Sequence, residues 1–323
     1  MRTNKIIPFL ALGGLSLCSA FLFQDSRLTA PSTLPCRASE GRDSETPQTV
    51  DIGSESYHRR QRSKEITAYQ DMMVGLRHGR LRRAKKPGTL ILVRHGHSEG
   101  TQDGRFIGWA DPALTSQGLR EAQHAARLLR ESGYDIDVVF TSHLNRAIHS
   151  TWAILRELDE TYLPVFKSWR LNERHYGALT GLGKAEVASR FGVSRVQTWR
   201  TDPNVVPPPM SEDDKEWPGK RRKFANIENL PASESLVDCA KRLEPLWQDK
   251  ILSELEVGHN VLVVGHGSTL RSIIKFIQGI SDEEACKLKV PPGSPLVYEF
   301  DRSFRVIPST DELSLQEGIS GKL

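Results

Sequence analysis

Arg94, His95 and Gly96 stand in a row, and their types suit the capture of a tetrahedral anion. The arginine offers a planar fork of donors that matches phosphate oxygens. The imidazole beside it is neutral near pH 7 and can attack phosphorus through one ring nitrogen. The glycine lets the backbone turn sharply and a ligand come close. A second pair, His266-Gly267, lies far along the chain, with Arg146 between the two. Two imidazoles and two guanidinium groups facing one pocket would form a cage. One imidazole would attack the phosphoryl group in line while the cations stabilise its equatorial oxygens. A phosphohistidine intermediate would split one transfer into two easier ones. Glu173, flanked by Arg174, His175 and Tyr176, is the candidate proton donor and acceptor. A partly closed site would raise its carboxyl pKa toward the working pH. His95 and His97 do not read as a metal pair, and no metal is expected.

Such groups need rigid supports. Residues 90–93 and 261–264 are apolar and rich in β-branches, so they read as buried strands. Each delivers its histidine to the strand's C-terminal end, where open α/β sheets bind ligands. Thr115 is a candidate N-cap for a helix with a stripe of Leu119, Ala122, Ala126 and Leu129 that stops at Gly133. A strand over 138–140 closes with Thr141-Ser142. The next helix places Ala147, Ile148, Trp152, Leu155 and Leu158 inward and Arg146 in its first turn, where free N–H groups and the dipole favour an anion. A strand over 163–166 and helices over 234–255 and 268–277 follow. This order predicts an α/β three-layer sandwich with a largely parallel central sheet. The stretch 201–232 is too long for a structureless connection and reads as a lid or an insert with its own contacts. Its basic run, Lys220 to Lys223, reads as a solvated loop, or else as a draw for polyanions.

The 323 residues carry a net charge of +4, unevenly placed. Residues 1–88 hold 15 Lys/Arg against 8 Asp/Glu, a balance of +7 that leaves −3 for the remainder. A mildly acidic body argues against a nucleic-acid surface. Residues 1–53 read as a disordered targeting leader. A signal-like part covers 1–20, with Arg2 and Lys5 before an uncharged apolar run, and a Ser/Thr/Pro/Arg-rich part covers 21–53. Contact with a membrane is expected only if the apolar run is retained as an anchor. Residues 54–88 read as a basic linker, 89–305 as the folded domain and 306–323 as a tail. Arg77-His78-Gly79 repeats the tripeptide, but no strand leads into it. Cys18, Cys36, Cys239 and Cys286 show neither a disulfide framework nor metal-ligand spacing.

The strand ending in Arg94-His95-Gly96 resembles the signature of the histidine phosphatase superfamily. The runs from Lys167 to Leu182, Asn145 to His149 and Pro295 to Asp301 resemble cofactor-dependent phosphoglycerate mutases more narrowly, and the similarity spans about 89–305. It implies interconversion of 3- and 2-phosphoglycerate, primed by 2,3-bisphosphoglycerate without metal, in a dimer or tetramer. It makes His95 the nucleophile, Glu173 the acid and base, and His266 the second imidazole, with Arg94 and Arg146 in the cage. Substrate contacts fall on Arg94, Arg146, Arg174, Tyr176, Lys184 and Arg200. Ser98, Thr101, Ile107, Gly108, His175, Gly267 and Ser268 complete the candidate set. The leader resembles the two-part presequences of algae with secondary plastids, which implies a plastid location; a secretory or mitochondrial one is the alternative. The chain departs from the mutase pattern at His97, Gly100, Thr101, Ile107, Thr201 and Ser268. A lost charged hydrogen bond is worth about 1.5–3 kcal/mol, roughly ten- to a hundredfold in affinity. The same nucleophile with water as acceptor would make a phosphatase of a phosphorylated small molecule such as bisphosphoglycerate, and a catalytically weak homologue that acts by binding is the other alternative.

Overall fold

The computed structural model describes residues 86–307, so the leader, most of the linker and nearly all of the tail lie outside the described residues. Five strands form one sheet in the order β3-β2-β4-β1-β5. They are β1 (Leu90–Arg94), β2 (Val138–Thr141), β3 (Val165–Lys167), β4 (Val261–Gly265) and β5 (Pro295–Tyr298). Only β5 runs antiparallel to its neighbour. Both faces are covered, which is why β1 and β4 are continuous apolar runs rather than alternating ones.

Side chains alternate between two cores. Leu90, Leu92, Val261 and Val263 face Leu243 of α5 (Leu236–Leu246) and Leu270 and Ile273 of α6 (Gly267–Gln278). Ile91, Val93, Leu262 and Val264 face Ala122, Ala126 and Leu129 of α1 (Ser116–Glu131) and Ile154 and Leu155 of α2 (Asn145–Leu158). The three layers of the predicted sandwich are therefore present. Two short helices, α3 (Lys184–Phe191) and α4 (Val193–Thr201), pack with Phe106 and Leu179 in a smaller cluster, and α7 (Asp282–Lys287) follows α6.

Thr115 caps α1 by accepting the Gly118 amide. The buried stripe of α1 runs through Gly118, Ala122, Ala125 and Leu129, which leaves Leu119 one position off the core and 44% exposed. Trp152 is likewise 38% exposed, because α2 turns Ser150, Thr151 and Ile154 inward instead. The two hydroxyls tolerate burial by bonding the carbonyls of Arg146 and Ala147, one turn back. The continuous helix expected over 234–255 is interrupted after Pro245 by a π turn at Trp247–Ile251. Proline removes a backbone donor and crowds the preceding turn.

The segment from 202 to 234 is not a solvated loop. Phe224 is fully buried against Trp109, with ring centroids 5.1 Å apart. Two of its basic residues tie it to distant parts of the chain: Arg221 donates to the Trp109 carbonyl, and Lys223 to Asp111 and the His143 carbonyl, while Lys220 and Arg222 stay exposed.

Two backbones touch where β1 ends. A Cβ on Gly96 would sit 2.1 Å from the Gly118 carbonyl oxygen, and one on Gly118 would sit 2.1 Å from that of His97. Gly96→Ala is expected to push this loop off α1 and cost about 1–3 kcal/mol. Urea unfolding checks it, and an unchanged midpoint would refute the contact.

Candidate active site

The β1–β4 register pairs Arg94 with Gly265, and the His95 amide bonds the Gly265 carbonyl at 3.0 Å. The next residues on the two strands, His95 and His266, therefore emerge side by side, with ring centroids 4.9 Å apart. Both are buried. His95 Nδ1 lies 2.7 Å from the Gly96 carbonyl oxygen, which only accepts, so the proton is on Nδ1. Nε2 then carries the lone pair and receives the Arg146 Nε–H at 3.3 Å. His266 Nε2 lies 2.8 Å from the Ser142 hydroxyl, at the end of β2.

Arg146 rises from the first turn of α2 and is 1% exposed. Its other donors go to the carbonyls of Ala110 (2.8 Å) and Gly108 (2.9 Å). Arg94 donates to the Val290 carbonyl at 2.9 Å. Glu173 Oε1 accepts the amides of Arg174 (2.8 Å) and Ser268 (3.1 Å). A Cβ on Gly267 would meet Glu173 Oε2 at 3.6 Å and Arg94 Cζ at 3.9 Å, so the carboxylate and a guanidinium converge beside His266.

Electrostatics follow from burial. His95 and His266 are pushed well below the ordinary imidazole range, by desolvation first and then by Arg146 and other cationic neighbours. Both are neutral at pH 7, which leaves His95 Nε2 nucleophilic. Burial also lowers Arg146 to about 10. Burial pushes the Glu173 carboxyl up, but the hydrogen bonds from Ser268 and Arg174 and the charges of Arg94 and Arg146 outweigh it, and the net shift is downward. The expected upward shift is thus corrected: the surrounding donors hold Glu173 as the carboxylate, the form that takes a proton. A phosphoryl dianion among the same arginines would offset them and push the carboxyl back up.

The remaining candidates divide. Gly108 serves through its carbonyl on Arg146, and Gly267 and Ser268 open α6 beside Glu173. The Arg174 guanidinium stacks 4.8 Å over the Tyr176 ring. Lys184, at the start of α3, is lowered by burial and then by the fields of Arg200 and Arg94. Ser98 is buried with its hydroxyl 3.1 Å from that of Thr101. Ile107 offers no polar side-chain group, and its side chain fills the space over Gly100. His175 is not brought to the cage. Its ring is buried against Trp109, its Nδ1 accepts the Gly177 amide, and burial lowers it to about 4. His97 uses its amide on Glu121 and its ring on Thr115.

Sequence reading missed Ser142, although the rule that found His95, a polar residue just past a buried strand, applies equally to it. It also missed Trp109, whose Nε1 donates to the Glu173 carbonyl at 2.6 Å, and the buried pair Arg242–Glu234. No local pattern marks either.

A three-layer α/β sandwich with two buried imidazoles and two arginines gathered at the strand ends is an arrangement suited to phosphoryl transfer. The chain belongs to the histidine phosphatase superfamily (branch 1), whose family model matches residues 90–213 and 209–310. Among solved structures it is similar to a mycobacterial glucosyl-3-phosphoglycerate phosphatase in complex with VO3, at 23% identity over 68% of this chain and 96% of that one, with a TM-score of 0.54. An Escherichia coli putative α-ribazole-5′-phosphate phosphatase is 22% identical over 71% of this chain and 98% of its own, with a TM-score of 0.53. The Bacillus stearothermophilus protein YhfR is 19% identical over 72% and 99%, with a TM-score of 0.54. These likenesses are likenesses of fold.

The buried imidazoles also set a pH dependence of stability. Each has a folded pKa below its unfolded value of roughly 6.5, so the unfolded chain binds more protons below that pH. Stability should therefore fall as pH drops through about 6.5, by up to about 1.4 kcal/mol per pH unit for each such histidine. The depressed Glu173 carboxyl acts in the same direction at lower pH. Urea midpoints at pH 7.5 and 5 check this; equal midpoints would contradict buried neutral imidazoles.

Proposed function

We propose that the protein is a phosphoglycerate mutase that interconverts 3- and 2-phosphoglycerate through phospho-His95. The observation that carries this reading is donor capacity beyond the cage: Arg174 Nε, like Arg94 Nε within the cage, is a buried donor with no acceptor among the described residues. Lys184 lies in the fields of Arg200 and Arg94. A substrate with one phosphate satisfies the cage around His95; a carboxylate or second phosphate suits the additional donors.

With His95 already carrying a phosphoryl group, the free hydroxyl of the monophosphoglycerate gives its proton to the Glu173 carboxylate as its oxygen attacks phosphorus and the N–P bond breaks. In the return step His95 Nε2 attacks the other phosphorus of the bisphosphoglycerate so formed, the P–O ester bond breaks, and its electron pair stays on the substrate oxygen, which takes that proton back from Glu173. Arg146 and Arg94 stabilise the equatorial oxygens throughout. The two orphaned arginine donors fit a bisphosphorylated primer, and 2,3-bisphosphoglycerate would supply the first phosphoryl group to His95. The segment carrying Phe224 packs on Trp109, between the two carbonyls that hold Arg146, and a cover that limits water there would favour transfer over hydrolysis.

A phosphatase is the second reading. The similar structures from mycobacteria and Escherichia coli carry phosphatase names, and Ile107 and Thr201 bring no charge to the site.

The full chain should convert 3-phosphoglycerate to 2-phosphoglycerate in the presence of a chelator, stimulated by 2,3-bisphosphoglycerate, with activity abolished in His95→Ala. Product analysis decides. Free phosphate without 2-phosphoglycerate would replace the mutase by the phosphatase, and turnover that survives His95→Ala would remove the nucleophile.

A further inference from the structure

Glu173 is held at both ends. Its carboxylate takes two amides, as described, and its main-chain carbonyl takes Trp109 Nε1 at 2.6 Å and Arg242 Nη2 at 3.2 Å. Arg242, on α5, is 8% exposed and does far more than this one bond. It donates to the carbonyls of Trp169 (3.2 Å), Arg170 (2.7 Å) and Asn172 (3.0 Å). It also grips both oxygens of buried Glu234, at 2.6 and 3.0 Å. Glu234 accepts the His175 amide at 2.8 Å, just beyond Glu173. One guanidinium and its counterion therefore fix the backbone of residues 169–175, whose only regular element before Glu173 is a single 3-10 turn, Trp169–Leu171. A lysine in that place would keep the charge but has no planar fork to span four carbonyls.

The groups that capture phosphorus are held otherwise. His95 rests on the Gly96 carbonyl, Arg146 on those of Gly108 and Ala110, Arg94 on that of Val290, and His266 on Ser142. None of these hydrogen bonds is made by Arg242 itself. The proton-handling carboxylate and the phosphoryl cage meet through neighbours: Trp109, between Gly108 and Ala110 and 5.6 Å from the Arg242 guanidinium, and Ser268, at the start of α6.

We propose that Arg242 is a positioning residue for proton transfer: it sets where the Glu173 carboxylate stands relative to the departing oxygen, and leaves attack by His95 on phosphorus untouched. This rests on the reading of Glu173 as acid and base. The two functions separate by leaving group. With 2,3-bisphosphoglycerate as donor, the alkyl oxygen departs with the electron pair of the P–O bond and needs a proton from Glu173. With p-nitrophenyl phosphate, the nitrophenolate leaves with that pair and needs none.

The test is the single-turnover rate of His95 phosphorylation by the two donors, by rapid quench, for full-length wild type, Arg242→Lys and Glu173→Gln. In Arg242→Lys the rate from the alkyl donor should fall about 100-fold, the scale of an ångström's misplacement, while the aryl donor's rate holds. If Arg242→Lys does not fold, the double variant Arg242→Gln/Glu234→Gln is read in its place, since it leaves no buried charge unpaired. Loss of both donors alike, or of neither, in a variant that folds overturns the proposal when Glu173→Gln does separate the donors. Failure of Glu173→Gln to separate them overturns the acid–base reading of Glu173 itself.

Discussion

The hydrogen-bond ladder between β1 and β4 is the constraint from which the site follows. Parallel register fixes not only which residues pair but which leave the sheet together, and here those are two histidines from positions 171 residues apart in sequence. A slip of one residue would turn every side chain of β1 to the opposite core and carry His95 away from His266. The unbroken apolar runs of both strands make such a slip costly only because the two faces differ. One demands the small alanines of α1, and the other the large side chains of α5 and α6.

Around that pair the protein gathers cations with few anions. Arg146 is held by main-chain carbonyls, which offer partial charge and direction without neutralising it. The imidazoles answer by staying neutral, and Glu173 by staying ionised. The result is a site with a surplus of positive potential in a buried setting, where an oxyanion gains more than it would in water. The same surplus explains why the site needs so much scaffolding, since like charges at close range must be restrained by something other than each other.

Much of this was legible in the chain. The β-branched runs, the glycines after both histidines and the capping Thr115 have local physical signatures, and those elements stand where expected. A helical stripe that takes in Leu119 and Trp152 misplaces both, because the buried faces use Gly118 and Ala125 on α1 and the back-bonded hydroxyls of Ser150 and Thr151 on α2, which apolar periodicity does not mark. The basic run at 220–223 read as solvated because its acceptors, Asp111 and the carbonyls of Trp109 and His143, are some 80 to 110 residues away. The downward shift of the Glu173 carboxyl was illegible for the same reason. It depends on the amide of Ser268, 95 residues on.

Trp109 has one ring and two duties. Its face meets Phe224 of the covering segment, its carbonyl receives Arg221 from that same segment, and its indole N–H holds the Glu173 carbonyl. On the proposed reading, the covering segment and the proton carrier share one support and cannot be tuned apart. A change that lifts Phe224 would also disturb the seat of Glu173, so exclusion of water and alignment of the base would be lost together.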